Sequence, residues 1–183
     1  MQDAALLDDD EPAPATLNNT NGKSVFLLVC DHASNALPRR LGTLGLQSAD
    51  LHRHIAWDIG ASAVTRLMAD QLDACAILQS YSRLAIDCNR PPDSDFAFVD
   101  ASDGTGIPGN DSISLIDKAL RVNEIFQPYH NCIDGVLNHR QKTGASTALI
   151  SLHSFTLVLD GQRRPDIAVM YNRDRRLADQ LMK

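Results

Sequence analysis

Ser24–His32 reads SVFLLVCDH. Its first seven residues carry no charge, and the apolar positions run consecutively rather than in alternation. That pattern predicts a strand covered on both faces, as in a sheet sandwiched by helices. Asp31 and His32 follow at its carboxyl end, and the loop DHASNALP closes at Pro38.

Working outward, Gly42 and Gly45 keep the next stretch irregular, and Ser48 or Asp50 is placed to cap a short helical start. From Ala61, ASAVTRLMADQLDA spaces Ala63, Val64, Leu67, Met68 and Leu72 as one helical face. CAILQS reads as a second strand. RLAIDCN reads as a third, with Leu84, Ile86 and Cys88 alternating against Arg83, Ala85 and Asp87. Residues 91–113 form a long loop of the kind that walls a pocket. Ser114 opens a helix with Leu115, Ala119, Val122, Phe126, Tyr129 and Ile133 along one side, and Pro128 predicts a kink or a second start. STALISLH and DIAVMYN read as further strands around the loop DGQRRP, and RDRRLADQLMK starts a last helix. Strands alternating with helices predict an α/β fold, a mostly parallel central sheet flanked by helices.

The 183 residues suffice for one domain, and 44% of them are hydrophobic. We expect residues 1–22 to form a flexible acidic tail and 23–183 a single α/β domain. The 17 Lys and Arg against 23 Asp and Glu give a formal charge of −6, which argues against a nucleic-acid partner. No apolar run approaches the roughly 20 residues that cross a bilayer. The N-terminus lacks the basic start and apolar centre of a secretory signal. Cys30, Cys75, Cys88 and Cys132 include no C-x-x-C pair and read as reduced thiols, so a cytoplasmic location is expected.

In open α/β sheets, ligands bind beyond the carboxyl ends of the strands. Three segments bring polar residues there: Asp31 and His32, Asn89 and Arg90, and, after ALISL, His153 and Ser154. Two imidazoles and a carboxylate form a common catalytic metal set for Zn2+ or another divalent ion. Asp58, just before Gly60 and a helix start, is the best third ligand, and Asp31 competes with it. Such a site cleaves amides without a protein nucleophile. Asn89 and Arg90 offer parallel N–H donors to a substrate carboxylate. Salt bridges from Arg83 or Arg90 to Asp87 or Asp93 are the plainer reading of the same residues. Arg163 and Arg164 are placed to close over a substrate. A rival reading makes Cys30 the nucleophile of a thiol amidohydrolase, with His32 or His153 as base.

CDHASNALP, HIAWDIGA, YSRLAIDCNRP and LHSFT…RRPDIAV, in this order, closely resemble the N-formylglutamate amidohydrolase family, from about Val25 to Val169. The resemblance implies a zinc-dependent amidohydrolase with a three-layer fold like that of the zinc carboxypeptidases (phosphorylase/hydrolase-like). It implies hydrolysis of N-formyl-L-glutamate or a related small N-acyl amino acid. It makes His32, Asp58 and His153 the metal set, and Arg83, Asn89, Arg90 and Ser154 the substrate contacts. Position 31 is Asp where many related sequences carry Glu, so Asp31 is expected either at the metal or orienting His32. Related sequences continue beyond position 183, so the domain is expected to lack its C-terminal part. On that expectation Asp31 or Asp87 would stand in as general base, or the chain would bind a carboxylate ligand without turning it over.

Overall fold

The computed structural model describes residues 5–159 and 162–182. Its centre is a four-stranded sheet of β1 (Ala15–Asn18), β2 (Phe26–Cys30), β3 (Cys75–Gln79) and β6 (Ala148–Ser151), in the order β1-β3-β2-β6. β2 runs parallel to both neighbours, with Leu28 opposite Ala76 and Ile150, while β1 pairs antiparallel with β3. Two short hairpins, β4–β5 (Ala101–Ser102, Thr105–Gly106) and β7–β8 (Val158–Leu159, Gln162–Arg163), lie outside this sheet.

Alternation along β2 splits the core into two layers. Leu27 and Val29 join Cys75, Ile77, Ile125, Tyr129 and Ile133 on one face. Leu28 and Cys30 join Ala61, Ala69, Ala76 and Leu78 on the other. Helix α1 (Ala61–Leu72) covers the second face, and α3 (Gln127–Lys142) the first. The result is a mixed α/β fold with a mostly parallel sheet between helical layers, as the apolar runs predict.

α1 seats itself differently from its hydrophobic spacing. It buries the small residues Ala61, Thr65 and Ala69, and leaves Val64 and Leu67 50% and 60% exposed. Small side chains let the helix approach a sheet face that is itself packed with Leu and Ala.

α2 (Leu115–Arg121) starts where expected, with the Ser114 hydroxyl accepting from the Asp117 N–H. It reaches α3 through a π-helical turn, Val122–Phe126. Pro128, the second residue of α3, has no N–H to give to the carbonyl four residues back, and the wider turn absorbs that loss. The chain ends in α4 (Arg176–Leu181).

Three expectations are corrected. The N-terminal segment is not wholly a free tail. Leu6 is buried, the Leu6 and Leu7 N–H groups donate to Glu124, Tyr81 Oη donates to the Pro12 carbonyl, and Ala15–Asn18 is an edge strand. RLAIDCN is a buried turn, not a strand. Its carbonyls find side chains instead of a ladder: Asn110 donates to Leu84 O and Arg121 to Ala85 O. DIAVMYN is irregular and exposed, with Ile167 and Met170 83% and 87% open. None of the helices among the described residues is long and apolar enough to cross a membrane.

Candidate active site

β2 hands the chain to Asp31 and His32 just beyond the sheet. The His32 carbonyl accepts from the Asp58 N–H at 3.0 Å, and the Asp58 carbonyl accepts from Ala61 N. Gly60 takes φ 84°, a left-handed turn that lets the chain pass from Asp58 into α1 without a Cβ penalty. From the other side, Leu152 N donates to Val29 O and carries β6 one residue further, to His153. Two strand ends and a helix start thus meet at Asp58.

The two imidazoles approach Asp58 alike. His32 Nδ1 lies 3.4 Å from Asp58 Oδ1, and His153 Nδ1 lies 3.0 Å from Asp58 Oδ2. The ring centroids are 5.0 Å apart. The Ser154 N–H donates to Asp58 Oδ2 at 3.1 Å. Each ring turns its other nitrogen to a further partner. His32 Nε2 meets Asp87 Oδ1 at 2.8 Å, and His153 Nε2 meets Ser151 Oγ at 3.0 Å and Asp31 Oδ2 at 3.5 Å.

Asp87 sits in the turn that replaces the expected strand. It accepts from His32, from Arg83 Nη2 at 2.7 Å and from the Asn89 N–H at 2.9 Å. Both of its oxygens are thus engaged. Arg83 Nη1 also lies 3.6 Å from Asp58, so Arg83 faces the acidic cluster. Asn89 and Arg90 follow with exposed side chains. Arg163 pairs with Asp166 on the exposed β7–β8 hairpin side, and Arg164 continues that exposed stretch.

The electrostatics show a site short of positive charge. Burial works against ionising Asp58, yet His153 and His32 hold its carboxyl well below the usual range. Burial opposes Asp87 too, but His32 and Arg83 bring it down to about 2. Hydrogen bonds donated to Asp31 and Asp58 raise His153 to about 9. His32 rises as well, because Asp58 and Asp87 outweigh the burial that would lower it.

One nitrogen, one oxygen and one further nitrogen, from His32, Asp58 and His153, lie within 4.8 Å of one another. The fit to a cation is supported by a buried atom: His32 Nδ1 faces this space without a hydrogen-bond partner among the described residues. Asp87, accepting from Nε2–H, leaves the Nδ1 lone pair free to ligate. A set of two imidazoles and one carboxylate suits zinc or a similar divalent ion.

Sequence reasoning passed over two residues. Tyr129, expected only in the core, donates its hydroxyl to Asp31 Oδ1 at 2.6 Å. Burial and the neighbouring Asp31 push its phenol pKa far up, so it stays a donor. Ser151 breaks the apolar run of β6 and stands two residues before His153, on the same strand face; that break was its signal. Cys30 is wholly buried on the α1 face, and burial lifts its thiol to about 11. The thiol-nucleophile reading is therefore set aside. His130 stacks on Phe126 and meets the Cys88 carbonyl at 3.0 Å, a local packing role.

Known proteins agree with this architecture. The gene product Atu2144 from Agrobacterium tumefaciens, 36% identical, superposes with a TM-score of 0.94 over 97% of this chain and 71% of its own. The N-formylglutamate amidohydrolase from Ralstonia eutropha JMP134, 20% identical, shares the fold with a TM-score of 0.56 over 79% of this chain and 58% of its own. No curated protein matches. The family model for N-formylglutamate amidohydrolase matches residues 24–183, from the residue that opens the β2 stretch onward. The chain belongs to the N-formylglutamate amidohydrolase family, and so to the amidohydrolases.

Proposed function

We propose that this protein is a metal-dependent hydrolase of small N-acyl amino acids, with N-formyl-L-glutamate as the reference substrate and water, formate and glutamate balancing the reaction. The observation that carries this reading is the convergence of His32, Asp58 and His153 from three separate segments. These three would hold the ion. A divalent cation there supplies Lewis acidity toward an amide carbonyl and a water made acidic near neutral pH.

The chain's own residues supply orientation. Asp87 fixes His32, with Arg83 neutralising part of the buried charge. Asn89 and Arg90 extend from the same turn, where a planar guanidinium and an amide suit a substrate carboxylate. Ser154 braces Asp58 through its backbone N–H, which leaves its hydroxyl to contact a bound substrate. The partner is thus a small carboxylate-bearing amide. Zinc is the ion favoured by the donor set. The four free cysteines support a reducing, cytoplasmic setting, which cell fractionation tests.

The deciding experiment measures formate release from N-formyl-L-glutamate before chelation, after it, and after zinc is restored. Loss on chelation and recovery with zinc is expected. Turnover that survives complete metal removal would contradict the reading.

A further inference from the structure

We propose that Tyr129, Asp31 and Ser151 form a directional hydrogen-bond chain that keeps the proton of His153 on Nε2 and turns its Nδ1 lone pair toward the metal site. The inference rests on the metal reading above and deepens it. All three are positioning residues acting through His153.

The direction follows from donor chemistry. A carboxylate only accepts. Tyr129 Oη must therefore donate to Asp31 Oδ1, across 2.6 Å. Ser151 Oγ, 3.4 Å from Asp31 Oδ2, donates its single proton there. With that proton committed, the Ser151 oxygen is left to accept, and its neighbour at 3.0 Å is His153 Nε2. Nε2 must carry a hydrogen to satisfy it, and Asp31 Oδ2, 3.5 Å from the same nitrogen, favours the same state. Nδ1, 3.0 Å from Asp58 Oδ2, donates to that oxygen while it carries a hydrogen; a cation held between them would take the place of that hydrogen and leave the ring's one proton on Nε2. Outer hydrogen bonds of this kind select the tautomer of a ligating imidazole and raise its basicity.

Tyr129 gives the chain its anchor. It is a wholly buried residue of α3, so it reaches Asp31 from the packed core and not from the solvent side. His32 has its own partner in Asp87, so the two imidazoles are oriented independently.

The test uses zinc as the probe. Affinity is measured by competition with a chromophoric chelator for the full chain and for Ser151→Ala, Tyr129→Phe and His153→Ala. The zinc-loaded protein, labelled with 15N-histidine, is examined by NMR. Ser151 is an exposed residue, so its alanine variant carries little risk to folding. Ser151→Ala and Tyr129→Phe should each weaken zinc binding about tenfold. The double variant should fall short of the product, because both act on one ring. The His153 hydrogen should appear on Nε2, with Nδ1 bound to zinc. Wild-type affinity in both single variants, or a hydrogen on Nδ1, overturns the chain while leaving the metal site intact. Wild-type affinity in His153→Ala overturns the metal reading itself, and the chain with it.

Discussion

His32 and His153 reach one carboxylate from strands of unequal standing. β2 lies between two parallel neighbours, whereas β6 ends the sheet's strand order among the described residues. His32 accordingly keeps 3% of its side-chain surface and His153 22%. The central arm is held by packing and by a buried carboxylate, Asp87. The edge arm is held by a short polar chain and stays open on one side. One imidazole is thus built into the core, and the other stays partly open.

That asymmetry predicts unequal losses. His32→Ala strips a buried partner from both Asp58 and Asp87, and leaving buried charge uncompensated costs about 3 kcal/mol. His153→Ala touches a partly open pair and should cost about 1 kcal/mol or less. Urea denaturation of the two metal-free variants checks this, and equal losses would erase the distinction between core arm and edge arm. Asp87→Asn should lower zinc affinity by about 10- to 100-fold by loosening His32, read by calorimetric titration. Arg90→Lys keeps the charge and removes the fork, so KM for N-formyl-L-glutamate should rise about tenfold with kcat nearly unchanged. If KM does not move, Arg90 does not touch the carboxylate. Smallest of all, Cys30→Ala should leave kcat/KM within about twofold, and iodoacetamide at pH 8 should miss Cys30 in the folded protein, since its thiol is held near 11 by burial.

The two arms also differ in how readily the sequence discloses them. The apolar run into His32 and the run into His153 are both long enough to mark strands, so the meeting of the two histidines and the parallel sheet were legible. The turn that carries Arg83, Asp87, Asn89 and Arg90 was not. Its alternation imitates a strand because it is buried on several sides, and the distant side chains of Asn110, Arg121 and His130 meet its carbonyls. Ala15–Asn18 escaped because an antiparallel edge strand needs no apolar run; its partner β3 provides the burial. Tyr129 escaped because a core tyrosine and a donor to a buried carboxylate have the same helical spacing. DIAVMYN shows the opposite failure, since apolar composition alone does not make a strand where no neighbour among the described residues pairs with it.

The central claim is that one ion is held jointly by both arms. Native mass spectrometry of the full chain with added zinc tests it most directly, alongside His32→Ala, Asp58→Ala and His153→Ala. The account predicts a single bound zinc in the wild type and none at the same concentration in any of the three variants. A wild type that binds no zinc, or variants that all retain it, would contradict the account.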